Sequence, residues 1–247
     1  DVASEISKSV AEMFHFYENA FGPAVKGSFR VIEIAGANWD ARSAPGMLML
    51  GSDELGPGFD PWVLSRYVAA QWFPLKYPIG EVESDAWLAD GMAVFAGMMY
   101  FEETLPPFEA DEYVQRTMVK ALTYEGDTPI SQADNLGKDS SEYRAVVGFK
   151  GGFIIRMLRD VMGKEKFDEM LEAFPVRFAD RSLSTSEFFD LSSQLAEEDL
   201  TYFFDQWLNS SGVPEFSREY TVFSLQDGYK ITGQINQDLD LFRMPVE

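Results

Sequence analysis

The chain is poor in the side chains that most often perform catalysis. It has 247 residues but a single histidine, His15, and no cysteine. Counting alone excludes a metal site built on two imidazoles, and it excludes thiolate nucleophiles and thiolate metal ligands. His15 stands between Phe14 and Phe16 in a helical pattern. We therefore expect a packed or half-exposed histidine there, rather than a metal ligand or a general base.

Carboxylates offer a different chemistry, because hard cations such as Ca²⁺ take oxygen ligands. Glu81, Glu83 and Asp85 are close together in the sequence, with Asp90 nearby. The simpler interpretation makes Asp85 an acid at the start of a helix, where a negative charge interacts favourably with the helix dipole. We keep the helix-start interpretation as the expectation and the calcium site as its alternative.

Helices must position most of these side chains. Apolar residues recur at helical spacing over 4–21, and helical patterns dominate from Pro61 onward. Two short apolar runs, 29–34 and 46–50, predict strands of one small sheet. After Gly212 the apolar period changes to two, which predicts strands near 219–223, 229–235 and 241–244. The predicted helices after the first cover 61–74, 84–103, 110–124, 142–162, 164–174, 185–194 and 198–209.

Composition and charge narrow the classes of partner. The chain is 46% hydrophobic and 15% aromatic, which indicates a folded protein with a large core. Its formal net charge of −21 is the wrong sign for neutralising phosphates, so we expect no nucleic-acid partner. The longest apolar stretch, 91–101, is too short to span a bilayer, so we expect no membrane insertion by this segment. The compartment stays open, and an extracytoplasmic or membrane-linked location is compatible with these features.

Five segments, in order along the chain, resemble the gluzincin metallopeptidases of the aminopeptidase N and leukotriene-hydrolase type. Residues 70–73, Ala-Gln-Trp-Phe, resemble the end of the zinc helix H-E-x-x-H-Q-W-F/W, and 87–91 resemble the W-L-N-E-G that follows it. The resemblance implies a thermolysin-like fold, a zinc cofactor and peptide hydrolysis. The other three segments resemble the G-x-M-E-N substrate strand, the Y-x-K-G-A segment and the W-x-x-x-x-G-x-P passage, and they are 41–46, 148–152 and 204–214.

Carried over residue by residue, the zinc helix of the family falls on side chains that cannot do its work. The two zinc histidines fall on Arg66 and Ala70, and the general-base glutamate falls on Tyr67. A guanidinium and a methyl group are not zinc ligands, and a tyrosine is a poor base at neutral pH. The third ligand falls on Asp90, which is one methylene shorter than glutamate and one position later than the family spacing.

Two further family positions are also changed. The tyrosine that stabilises the oxyanion falls on Gly148, and the glutamate that holds the substrate amine falls on Ser43. The resemblance therefore implies a non-catalytic aminopeptidase-like domain without zinc, with a binding or scaffolding role and a peptide or protein partner. The alternative is a zinc aminopeptidase that cleaves N-terminal residues from peptides with a non-family or displaced metal site.

The same carry-over makes a structural prediction. Arg66 and Asp90 hold positions of a former ligand pair, so we predict that the guanidinium takes the metal's place and pairs with Asp90. The alternative turns Arg66 outward and leaves Asp90 in local hydrogen bonds. The predicted fold class is α+β, with a mostly helical thermolysin-like domain and a small N-terminal sheet over 1–212. Residues 213–247 are predicted to begin a β-sandwich-like domain or to form a strand appendage, and the chain to be a fragment of a larger, bacterial-type protein.

Overall fold

The computed structural model describes residues 2–24, 28–37, 39–52, 60–80, 85–124, 128–138, 140–178 and 181–243. The fold is α+β and mostly helical, as predicted. A 3-10 helix covers Ile130–Asn135, and π-helical segments cover Arg144–Phe149 and Asp205–Asn209. The α-helices are α1 (Val2–Phe21), α2 (Pro61–Ala69), α3 (Ala86–Thr104), α4 (Pro107–Leu122), α5 (Ser141–Tyr143), α6 (Lys150–Met162), α7 (Lys164–Arg177), α8 (Thr185–Ala196) and α9 (Thr201–Phe204).

Helix α3 is the centre of the core. It is apolar on nearly every side, and such a helix is stable only when protein surrounds it. Met92, Phe95 and Met98 have no solvent exposure. Helices α2 and α6 and the π-helical segment Arg144–Phe149 pack against it. The site residues carried by α2, α3 and this π-helical segment therefore sit on rigid, mutually packed elements.

Glycines allow α3 and α6 to cross at close range. A Cβ atom on Gly91 would lie 2.8 Å from the carbonyl carbon of Gly151, and one on Gly151 would lie 2.9 Å from the carbonyl oxygen of Trp87. Real Cβ atoms do not approach backbone atoms this closely, so only glycine fits this crossing. The contact fixes the position of Asp90, which precedes Gly91, relative to Gly148 in the π-helical segment that leads into α6.

Helix α2 begins at an identifiable capping signal and ends earlier than the sequence pattern predicts. Asp60 caps it by accepting a hydrogen bond from Trp62 N, and Pro61 occupies its first turn. The predicted helix 61–74 is shorter in the structure, because turns replace it after Ala69. In these turns Gln71 is buried. Its side-chain Oε1 accepts a hydrogen bond from Gly46 N, and its Nε2 donates one to Ala44 O, each with a length of 2.9 Å. Gln71 thus ties α2 to the neighbouring sheet.

The N-terminal sheet contains one strand more than the sequence pattern indicates. Its order is β1-β3-β2, with β1 parallel and β2 antiparallel to β3. The polar segment at β2 pairs because it forms a hairpin with β3 and not because it carries an apolar pattern of its own. The strands are β1 (Arg30–Ile34), β2 (Ala41–Ala44) and β3 (Met47–Gly51).

The C-terminal part forms one hairpin from β4 (Phe216–Leu225) and β5 (Gly228–Gln237), whose residues are exposed on both faces almost throughout. The predicted strand near 241–244 is wrong for its described residues, which form a turn. Phe242 leaves this turn to pack on Trp207, 4.8 Å between ring centroids, and is buried. Across the described ranges, none of the helices combines the length and apolar character needed to cross a bilayer.

Candidate functional site

One cavity of about 140 Å³ brings together five of the six positions that the sequence singled out. Helix α2 and the turn after it supply three of them, α3 supplies one, and the π-helical segment supplies the fifth together with Arg144. The sixth position, Ser43, lies on β2 beside this wall, and its hydroxyl donates to the carbonyl oxygen of Tyr67. The five residues are Arg66, Tyr67, Ala70, Asp90 and Gly148.

Arg66 dominates the wall of this cavity. Its side chain is 12% exposed, and Nη2 donates to Asp40 Oδ2 over 3.0 Å and to the Tyr67 hydroxyl over 3.1 Å. The guanidinium carbon lies 4.4 Å from the centroid of the Tyr67 ring and 5.1 Å from that of Trp62, distances at which a cation is attracted to an aromatic face. Arg66 is therefore held as a permanent cation at the inner end of the cleft.

The predicted ion pair between Arg66 and Asp90 is wrong. Both residues line the cavity, but the guanidinium turns towards Asp40, which precedes β2. The carboxylate of Asp40 also lies near a second cation, because Arg144 Nη1 is 3.7 Å from Asp40 Oδ1. Asp40 could not be recognised from the sequence, since it matches no family position and lies outside any regular apolar pattern.

Asp90 lines the same cavity, and the residue is exposed to solvent. The residue keeps contact with solvent through the cleft, yet protein surrounds the carboxyl closely on its other sides. This desolvation raises the pKa of Asp90 to about 6, although the positive charge of Arg66 acts in the opposite direction. Near neutral pH the cavity therefore contains a carboxyl group that gains or loses its proton easily.

Tyr67 is a neutral hydroxyl in this environment. Burial raises the pKa of Tyr67 above its ordinary value, and Arg66 lowers it less than burial raises it. A phenol that holds its proton more firmly than in water cannot serve as a general base near neutral pH. Tyr67 instead accepts a hydrogen bond from Arg66 and forms part of the wall.

A second cavity, of about 220 Å³, lies on the other side of the same two arginines. Arg66 and Arg144 line both cavities, and Lys120 on α4 joins them in the second. Sequence reasoning missed Arg144 and Lys120. Arg144 stands four residues before Gly148, so its position one helical turn away was a usable signal. Lys120 carried none, because α4 presents several charged residues of similar spacing.

The residues of the first cavity do not fit a zinc ion. Zinc in proteins takes imidazole, thiolate and carboxylate ligands, usually three or four of them. Of its described lining residues, Asp90 alone offers a carboxylate, beside the guanidinium groups of Arg66 and Arg144, which repel a dication. Across the part of the chain that the structure describes, no group of three or more His, Cys, Asp or Glu residues is placed to hold a metal ion.

The other candidate groups lie away from these cavities. His15 is exposed on α1, where Asn19 lies within hydrogen-bond distance. Asp85 is buried and accepts a hydrogen bond from the backbone N–H of Thr185 over 3.0 Å, so it contacts the first turn of α8 rather than its own helix. Glu81 and Glu83, the other members of the alternative calcium site, lie outside the described residues.

The chain is similar to a known peptidase family and to several aminopeptidases. A model of the Peptidase family M1 domain matches residues 81–207. Endoplasmic reticulum aminopeptidase 2 from Homo sapiens is 26% identical over 144 residues, which are 56% of this chain and 15% of that protein. Alanine/arginine aminopeptidase from Saccharomyces cerevisiae is 20% identical over 195 residues, which are 74% of this chain and 22% of that protein. The chain spans about a fifth of the length of the curated relatives it matches.

Solved structures of the same kind share the fold. The M1 zinc metallopeptidase from Deinococcus radiodurans superimposes with a TM-score of 0.68 at 18% sequence identity. The match covers 84% of this chain and 45% of that protein. A mutant of a two-domain M1 zinc metallopeptidase bound to L-arginine gives the same TM-score and coverage. The likeness shows that the fold is shared.

Proposed function

Because this chain belongs to peptidase family M1, we propose that it is a non-catalytic member whose cleft binds peptides without cleaving them. Its relatives include aminopeptidases, and zinc is the usual cofactor of the family. This chain spans only part of those relatives, so we propose that it acts as one module of a larger protein. Its role there is binding or scaffolding, with a peptide or protein as the partner.

A single observation carries the proposal: two guanidinium groups line the cavity on which the family's catalytic positions converge. Arg66 and Arg144 both line it, and among the described lining residues the carboxylate comes from Asp90 alone. A zinc dication would have to enter against these cations with a single negative ligand to hold it. The cavity is suited to negative or neutral ligands instead.

The position of the family's general base also falls on a residue that cannot take a proton near neutral pH. Peptide hydrolysis needs a group that takes a proton from the attacking water. Tyr67 keeps its proton at neutral pH because burial raises its pKa. Asp90 has a pKa of about 6, and the family positions for the zinc ligands that would activate a substrate carbonyl beside it fall on Arg66 and Ala70, which cannot hold the metal.

The proposal is tested by zinc content and turnover together. The chain is purified without chelator, its zinc is measured by elemental analysis, and hydrolysis of fluorogenic aminoacyl amides is followed with added Zn²⁺. We expect much less than one zinc per chain and no chelator-sensitive turnover. One tightly held zinc per chain, with turnover that a chelator abolishes, would overturn the proposal in favour of a displaced metal site.

A matched variant makes a negative result informative. The triple substitution Arg66→His, Tyr67→Glu and Ala70→His places two imidazoles one helical turn apart beside Asp90. We expect this variant to bind zinc while the unmodified chain does not. Equal zinc content in the two proteins would show that the cavity residues do not control metal binding, and the proposal would lose its basis.

A further inference from the structure

We infer that the second cavity, between α2, α4 and the segment 141–149, is a binding site for a carboxylate group of a peptide. The inference rests on the proposed function in one respect, namely that the cleft holds a peptide. It adds the chemical class of the group that is recognised and the residues that recognise it. The recognising cations are Lys120 and Arg144, with Arg66 behind them.

The first argument is the local charge. The whole chain has a formal net charge of −21, yet the described residues that line this cavity include three cations and one carboxylate, that of Asp40. Arg66 and Arg144 both lie near Asp40, at 3.0 Å and 3.7 Å. One negative charge thus faces three positive ones. An anion that enters the cavity gains attraction from the excess of cations among these described lining residues.

The second argument is the state of Lys120. Its ammonium group lies 4.0 Å from the centroid of the Trp62 ring, and among the described residues Asp60 and Asp40 act on it through their charge without a hydrogen bond to it. Partial burial lowers the pKa of Lys120, and the nearby charge of Arg66 lowers it further. A cation that is partly desolvated and unpaired is stabilised when an anion reaches it. Lys120 is therefore the group with most to gain from a ligand.

The third argument is that Arg144 has capacity for another acceptor. Its Nη1 is 3.7 Å from Asp40 Oδ1, which is longer than a hydrogen bond, and its Nη2 donates to the Ser141 hydroxyl over 3.3 Å. The side chain is 38% exposed. Guanidinium groups bind carboxylates through two parallel N–H donors. Arg144 is thus placed at the mouth of the cavity with donors that its protein partners use weakly.

The size and lining of the cavity favour a carboxylate that is attached to a short chain of atoms. A volume of about 220 Å³ exceeds what a lone carboxylate fills. Phe149 and Tyr124 supply ring surface, and Ser141 and Thr123 supply hydroxyl groups. Two groups of a peptide meet this description, an acidic side chain and the carboxyl terminus. Both present the same oxygens to Lys120 and Arg144.

The test uses three blocked tripeptides and inorganic phosphate, with intrinsic tryptophan fluorescence and calorimetry as readouts. Acetyl-Ala-Glu-Ala-amide presents a side-chain carboxylate, acetyl-Ala-Ala-Ala presents a terminal one, and acetyl-Ala-Ala-Ala-amide presents neither. We expect at least one acidic peptide to bind more than tenfold tighter than the neutral one. We also expect its affinity to fall as salt is added, because screening weakens exposed charges. The stronger of the two acidic peptides identifies the source of the carboxylate.

Two variants and a control locate the binding. Lys120→Gln and Arg144→Gln should each weaken the acidic peptide about tenfold, whereas Lys8→Gln on α1, which has a similar charge change far from the cavity, should not. If the neutral peptide binds as tightly and the variants have no effect, this inference is overturned while the proposed function stands. If phosphate binds tighter than either acidic peptide, or if none binds, the inference is also overturned. The zinc and turnover measurement then decides the proposed function separately.

Discussion

Arg66 on α2 donates from Nη2 to Asp40 Oδ2 over 3.0 Å, and this ion pair joins the helix to the residues that precede β2. The pair lies between two cavities that both use Arg66 as a wall. It leaves Asp90, on the far side of the first cavity, without a partner carried by α2. The pair of Arg66 and Asp40 thus attaches the edge of the sheet to α2, and it leaves the carboxyl group of Asp90 without an ion-pair partner on that helix.

Replacing Arg66 with Met should lower the free energy of unfolding by about 1–3 kcal/mol, because a mostly buried cation is lost while Asp40 stays partly buried. Urea unfolding at neutral pH measures the loss. Arg144→Gln is the matched control, since its side chain is more exposed and lies farther from Asp40, and it should cost under about 1 kcal/mol. Equal losses below about 0.5 kcal/mol in both variants would mean that the Arg66 pair is no stronger than a surface pair.

Asp90 should make stability depend on pH. Its pKa is about 6 in the folded chain against an ordinary value of 3.8, so between these values the folded state binds more protons than the unfolded state. Stability therefore falls as pH rises from about 4 to about 6 and then levels off. Contact with solvent screens the effect, and we expect about 1 kcal/mol.

The variant Asp90→Asn isolates this titration. It lacks the ionisable group, so its stability should exceed that of the unmodified chain increasingly from about pH 4 to pH 6. Urea unfolding at several pH values measures the difference. The other charged or titratable residues of the cavity are the same in both proteins, so the difference reports on Asp90; they are Arg66, Arg144 and Tyr67. A difference that stays constant with pH would contradict the raised pKa of Asp90.

The sequence was sufficient to predict the helices that carry this site, but it was insufficient to predict which side chains contact each other there. The spacing of apolar residues located the helices, and the resemblance placed Arg66, Asp90 and Gly148 around one cavity. The partner of Arg66 could not be found in this way, because Asp40 lies in an irregular segment whose position depends on the hairpin of β2 and β3. The residues after Leu239 alternate like a strand, but Phe242 is drawn into the core by Trp207 instead.

Gly91→Ala should destabilise the chain. The added Cβ atom would lie 2.8 Å from the Gly151 carbonyl carbon, and backbone atoms cannot move aside as a side chain can. Overpacking of this kind costs about 1–3 kcal/mol, which exceeds the roughly 1 kcal/mol that alanine gains over glycine in a helix. Thermal unfolding should show a lowered midpoint.

Gly148→Ala is the control for that substitution. Its Cβ atom would lie 3.8 Å from Asp90 Cβ, an ordinary contact distance, so the variant should be as stable as the unmodified chain or slightly more stable. If Gly91→Ala and Gly148→Ala behave alike, the close crossing of α3 and α6 does not constrain the sequence at Gly91.

Gln206 holds the segment that follows the C-terminal hairpin. Its buried side-chain amide donates to Arg243 O over 2.8 Å and accepts from Arg243 N over 2.7 Å. Gln206→Ala leaves both backbone groups unpaired, at a cost of about 1–2 kcal/mol, and should speed tryptic cleavage after Arg243 by about fivefold or more. Gln234→Ala, at an exposed position of β5, should leave the cleavage rate unchanged. The same rate in both variants would show that the Gln206 bonds do not restrain this segment.

The hairpin of β4 and β5 has a consequence for the order in which the chain opens. Within the described residues its two strands pair only with each other, and its side chains bury little surface. Two strands alone are marginally stable in water, whereas the amides of α3 are protected by the whole core. Amide hydrogens of the hairpin should therefore exchange with solvent through a local opening that costs far less free energy than global unfolding. The segment after β5, which is held by Gln206 and by the packing of Phe242, separates the amides that exchange through local opening from those that exchange only through global unfolding.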